Sequence, residues 1–149
     1  MAEIRFYHCE RQSLEQVLPL LLGKALQNGH RIVVKTHSKE AAEQLNQLLW
    51  TSKPESFLPH GSAKDGQGEN HPVWLCANDD NPNEADVLIL TQGQESTALA
   101  DYKLVCDMID GRDEQAVAQA RKRWSAYKDA GHEVTYWQQS VQGGWDKKA

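Results

Sequence analysis

The residue types that carry chemistry are present in this chain, but not at the spacings that chemistry requires. Phosphate binding needs glycines just ahead of a helix, so that backbone N–H groups can close on the anion. Gly23-Lys24 instead lies inside an apolar helical pattern, and Gly66-Gln67-Gly68 opens no helix. After the first strand-like segment the chain reads His8-Cys9-Glu10-Arg11-Gln12-Ser13, with no glycine to admit a pyrophosphate. The six histidines (His8, His30, His37, His60, His71 and His132) show neither H-x-x-x-H nor H-E-x-x-H spacing, so no zinc site is expected. His8 and Cys9 adjoin, but neighbours on a strand point to opposite faces and cannot form a nucleophile–base pair. Asp79, Asp80 and Glu84 lack the glycine and terminal glutamate of a calcium loop and read as a solvated turn. No G-x-S-x-G elbow occurs. The expectation is a chain with no catalytic residue, no metal and no cofactor.

Two segments look instead like surfaces for other proteins. At about 100° per residue, Ala116, Val117, Ala120, Trp124 and Tyr127 form one helical stripe about 100° wide. Arg121 and Lys128 lie about 20° apart and about 40–60° beyond the Trp124 edge of that stripe. Cations beside an indole suit a carboxylate-bearing apolar peptide, with the guanidinium as a fork and the ring as a wall. The same spacing also fits a core-packing tryptophan with a solvated basic rim, and both readings stand at this point. The second segment, Trp50 to His60, holds Trp50, Phe57, Leu58 and Pro59 in a stretch without helical or strand period. Large apolar groups outside a regular element mark either a partner surface or a loop folded back over the core.

These segments need a scaffold, and the rest of the chain supplies one. Its 149 residues are the length of a single domain. A composition of 40% apolar and 25% charged residues is that of a globular domain. The net charge of −5 argues against generic binding to nucleic-acid backbones. Cys9, Cys76 and Cys106 are odd in number and far apart, and two sit in apolar runs, so buried free thiols are expected. MAEIRFYH lacks the pattern of a signal peptide, and the apolar stretch Leu18–Leu22 is too short to span a membrane. A cytoplasmic protein with no membrane association is the expectation.

Residues 4–8 alternate as a half-buried strand does. A helix capped by Ser13 follows, with Leu14, Val17, Leu18, Leu21, Leu22, Ala25 and Leu26 on one face and a bend expected at Pro19. Residues 30–36 predict a buried strand, and Ser38 caps a second helix carrying Ala41, Ala42, Leu45, Leu48 and Leu49. Residues 61–70 read as a loop. Strands are expected at residues 73–76, 87–90 and 104–109, then a helix at 114–130 capped by Asp113 and stopped by Gly131, and an edge strand at 134–137. Strands alternating with helices imply a mostly parallel sheet. The expected architecture is a single-domain three-layer α/β/α sandwich over residues 1–138. Residues 139–149 are expected to form a polar, frayed tail.

Three motifs, FYH near the start, LLWTSKPESFLPH in the middle and ARKRWSAYKDAG near the end, together resemble the chi subunits of bacterial DNA polymerase III. The resemblance covers essentially the whole chain. It implies a fold similar to a nucleotide-binding domain without the phosphate motif, and a noncatalytic accessory subunit of the polymerase holoenzyme acting in DNA replication. The nucleotidyltransferase activity would belong to the complex. It further implies two partners. One is the small psi subunit, which tethers chi to the clamp loader. The other is the acidic, Phe-terminated C-terminal tail of single-stranded DNA-binding protein (SSB), so that DNA is met only indirectly. Residue by residue, Arg121 matches the clamp on the tail's terminal carboxylate, Trp124 an aromatic of that pocket and Ile109 an apolar wall. Lys128 lies on the same edge. Trp50, Phe57, Pro59 and His60 map to the psi surface. Val117 and Ser125 stand where members of the family carry lysine, and the loop from Asp110 to Glu114 is one residue longer, which implies a less basic tail site. Competing readings are a nucleotide-dependent enzyme on an α/β scaffold and direct DNA binding. Ligand-induced thermal stabilisation tests the first, and titration with single-stranded DNA the second.

Overall fold

The computed structural model describes residues 3–9, 14–51, 60–62, 72–139 except 79, 80, 82, 92, 97 and 98, and 145–148. Strand β1 spans Glu3–Cys9, helix α1 Leu14–Gln27, β2 Ile32–Lys35 and α2 Lys39–Thr51. There follow β3 His60–Ser62, β4 Val73–Cys76, β5 Val87–Leu90, β6 Leu104–Asp110, α3 Glu114–Asp129, β7 Glu133–Gln139 and β8 Trp145–Lys147. One eight-stranded sheet runs in the order β3-β4-β2-β5-β6-β1-β7-β8. Every pairing is parallel except β7 with β8. The mostly parallel α/β architecture read from the sequence is therefore the observed one.

The central strands show why. β2, β4 and β5 are buried at every residue, as strands covered on both faces must be. Crossovers in such sheets are right-handed, so their direction selects the face. The paths from β1 to β2 and from β2 to β3 run one way along the sheet, and the path from β6 to β7 runs the other way. Val17, Leu18 and Leu22 of α1 and Ala42 and Leu45 of α2 accordingly share a core cluster with Tyr7, Cys9 and Met108. Ala120 and Tyr127 of α3 pack in a separate cluster with Ile4, Phe6, Val105 and Ile109.

Individual expectations fare unequally. Ser13, the proposed cap of α1, lies outside the described residues, and α1 continues through Pro19. Ser38 caps α2 as read, its Oγ accepting from the Ala41 N–H at 3.0 Å. Asp113 caps α3, accepting from the Gln115 and Ala116 N–H groups. Gly131, at φ +89°, turns the chain out of that helix. Two strands were not expected. β3 falls where the sequence reads as loop, and β8 falls in the segment read as frayed. Both are three-residue edge strands, too short to show a period. β8 is held through its register with β7 and by Trp145, whose ring meets Tyr7 edge-on at 4.9 Å. Cys9, Cys76 and Cys106 are all buried and form no disulfide, and for Cys76 and Cys106 burial is the expected outcome. Among the described residues no helix is long and apolar enough to cross a membrane.

Candidate functional site

The apolar stripe of α3 is real and faces the sheet. Ala120 and Tyr127 are buried, while Ala116, Val117 and Trp124 are partly buried against the same cluster. Trp124 meets Phe6 of β1 edge-on at 5.7 Å and Tyr136 of β7 at 5.9 Å. Tyr136 in turn hydrogen-bonds His8 Nδ1 through its hydroxyl. The indole of α3 thus rests on an aromatic bed built from two strands, β1 and β7, and stays partly exposed. His8 points into this bed and Cys9 into the opposite core, as alternation on a strand requires.

Gly111 is what lets the turn after β6 close over that bed. A Cβ there would lie 2.1 Å from His8 Cδ2 and 2.9 Å from the Cys9 carbonyl oxygen. The Gly111 N–H donates to that same carbonyl at 2.8 Å.

At the outer edge of the stripe, Lys128 Nζ stands 4.8 Å from the Trp124 ring centre. That is a cation–π arrangement, which orients the ammonium without neutralising it. Arg121, about one turn before Trp124, is exposed, with no hydrogen bond or ion pair to any described residue. The edge therefore offers two cations around one half-covered indole. Such a surface can accept a carboxylate on the guanidinium fork and an apolar side chain against the ring. Trp124 packs the core and also rims a basic edge, which is the second of the two readings of the stripe.

Ile109 is 2% exposed and lies within the α3-side core. Of the psi-surface residues, Phe57 and Pro59 lie outside the described residues, as do the side chains of Trp50 and His60, the latter opening β3. The acidic turn at Asp79 and Asp80 also lies outside. Among the described residues no group of three or more metal-binding side chains comes together.

Sequence reading missed Arg123. It is 6% exposed and donates to Asp107 from Nε at 2.7 Å and from Nη2 at 2.9 Å. Burial drives the Asp107 carboxyl upward, and the two guanidinium bonds oppose that rise. The guanidinium itself loses solvation on burial, but its bonds to Asp107 outweigh that and hold it charged. The signal was present: an aspartate inside the apolar run Leu104–Ile109 demands a partner.

Comparison with known proteins points to one family. The family model for the DNA polymerase III chi subunit, HolC, matches residues 1–135. A protein of Rickettsia prowazekii (strain Madrid E) described as a probable DNA polymerase III subunit chi is 30% identical over 90 residues, 60% of this chain. That alignment spans only 54% of the Rickettsia protein. The DNA polymerase III subunit chi of Escherichia coli (strain K12) is 25% identical over 120 residues, covering 80% of this chain and 81% of that protein. With the family pattern running through nearly every element from β1 into β7, this chain belongs to the DNA polymerase III chi subunit family.

Proposed function

We propose that the chain is a noncatalytic adaptor of the replicative polymerase, joining the clamp loader, through a psi subunit, to the C-terminal tail of SSB. The observation that carries the tail half is the unpartnered Arg121 beside the Lys128-covered Trp124. Arg121 takes the terminal carboxylate in a bidentate grip, Lys128 adds a second positive charge, and the exposed side of Trp124 packs the terminal phenylalanine. Val117 and Ser125 leave these two cations to do most of the electrostatic work. Ile109 supports the floor from within the core. The psi half rests on Trp50, Phe57, Pro59 and His60 and on the family resemblance alone.

Fluorescence anisotropy with a labelled acidic peptide ending in Pro-Phe tests the tail site. The wild-type chain should bind and Arg121→Ala should not bind comparably. Equal affinity in the two proteins refutes the assignment. For the psi surface, Trp50→Ala with Phe57→Ala should abolish co-purification of psi with an unchanged melting profile. A double variant that unfolds would place those side chains in the core instead.

A further inference from the structure

The basic edge of α3 has a charged part and an aromatic part, and they select different things. Arg121 and Lys128 are exposed and attract a carboxylate whatever side chain stands beside it. Choosing that side chain falls to Trp124, so the orientation of its indole matters. Two rings set it, both edge-on, with Phe6 at 71° and Tyr136 at 72° between planes. Phe6 is fully buried and fixed by the core. Tyr136 is only half-buried on β7, one strand in from the sheet edge, so the core alone does not fix its ring.

His8 supplies the missing constraint. In the parallel register Tyr136 lies beside Phe6, and His8 shares the face of Phe6 two residues further along β1. The Tyr136 hydroxyl and His8 Nδ1 are 2.5 Å apart, and the two rings meet edge-on at 5.7 Å. The imidazole is in turn confined by the turn at Gly111, which has room for a hydrogen and none for a methyl group. A chain of contacts thus runs from Gly111 through His8 and Tyr136 to Trp124. We propose, resting on the tail site set out above, that His8 and Tyr136 are its positioning residues: their hydrogen bond holds the Trp124 indole in the orientation that receives an aromatic C-terminal side chain. A ring oriented in advance spares the cost of ordering it on binding, and aromatic pairs gain from edge-on or offset geometry beyond the area they cover. The pair sets selectivity for a terminal aromatic residue, while Arg121 sets the dependence on charge. Val117 and Ser125 add no charge to this edge, so the aromatic part carries a larger share of the discrimination.

Selectivity is the readout, with the full chain and two labelled acidic peptides that differ only in ending Pro-Phe or Pro-Ala. In fluorescence anisotropy the wild-type chain should prefer the Pro-Phe peptide about tenfold. Tyr136→Phe keeps the ring and removes only the hydroxyl. It should cut that preference about three- to fivefold through the Pro-Phe peptide, with the Pro-Ala affinity unchanged. His8→Leu should do the same, and the double variant should lose no more than either, because both act through one bond. Arg121→Ala should weaken both peptides by one factor and leave the preference intact. A wild-type chain without the preference, or a preference retained in full by Tyr136→Phe, overturns the proposal and leaves the tail site standing. So do equal losses for both peptides in Tyr136→Phe, or losses that add in the double variant. A wild-type chain that binds neither peptide removes the tail site and the positioning pair with it.

Discussion

Arg121 and Arg123 stand two residues apart on α3 and meet opposite surroundings. Arg123, at the inner edge of the stripe, is buried against Asp107 with two hydrogen bonds under 3.0 Å. Arg121, at the outer edge, is exposed with no described partner and shares its edge with Lys128 and Trp124. A displacement of about 200° around the helix separates a side chain committed to the fold from one still able to spend its donors on a ligand. The contrast shows how to read a basic run such as Ala120-Arg121-Lys122-Arg123: residue type is shared, and the facing element decides the role.

The strongest way to break that contrast is Arg123→Met. It strands the Asp107 carboxylate in the core and should lower stability by about 3–5 kcal/mol in urea unfolding. Adding Asp107→Leu should recover much of the loss, because the uncompensated charge is then gone. If Arg123→Met were as stable as wild type, the pair would not be a buried structural contact.

Arg121→Ala should do the reverse. Stability should stay within about 0.5 kcal/mol, as for an exposed site without partners. Affinity for the acidic Pro-Phe peptide should fall by about one to two orders of magnitude, the value of a charge-assisted bidentate bond. Raising salt should weaken the wild-type complex more than the variant's.

Lys128→Ala sharpens the outer edge further. Losing an exposed cation–π contact and one charge should weaken the same peptide about two- to fivefold. A loss as large as that of Arg121→Ala would move the carboxylate anchor to Lys128.

A pH dependence tests burial itself. Desolvation is the main cause that pushes the Cys9 and Cys106 thiols up to about 12, with Asp110 adding to it at Cys9. Their folded pKa lies above the unfolded value of 9.0, so their stabilising contribution is complete below pH 9 and is lost as pH rises toward 12. Urea midpoints should therefore be flat up to about pH 8.5 and then decline clearly by pH 10. Neither thiol should react with a thiol reagent in the native protein at pH 8. Prompt labelling there would show that the core over β1 and β6 opens.

How much of this was legible depends on range along the chain. The α3 stripe and its two flanking cations follow from a 3.6-residue period, which is local, and the structure places all of them where that period puts them. The aromatic bed was not legible, because Phe6, Trp124 and Tyr136 come from three elements brought together only by the parallel pairings of β1. Ile109 was visible as a strand residue, but its depth was not. Whether a strand's end is open or covered depends on the helix laid across it.

By itself the sequence determined the kinds and order of the elements other than the edge strands β3 and β8, and the lack of a glycine-rich phosphate motif. Each of these is written in the spacing of neighbouring residues, through side-chain alternation, helical periodicity or glycine placement. Only the tertiary structure decided which arginine is buried and how Trp145 closes against Tyr7. Those outcomes depend on partners far away in the chain, such as Asp107 for Arg123 and Tyr7 for Trp145. Burial of a charge or a ring is settled by what packs against it, and no local pattern encodes that.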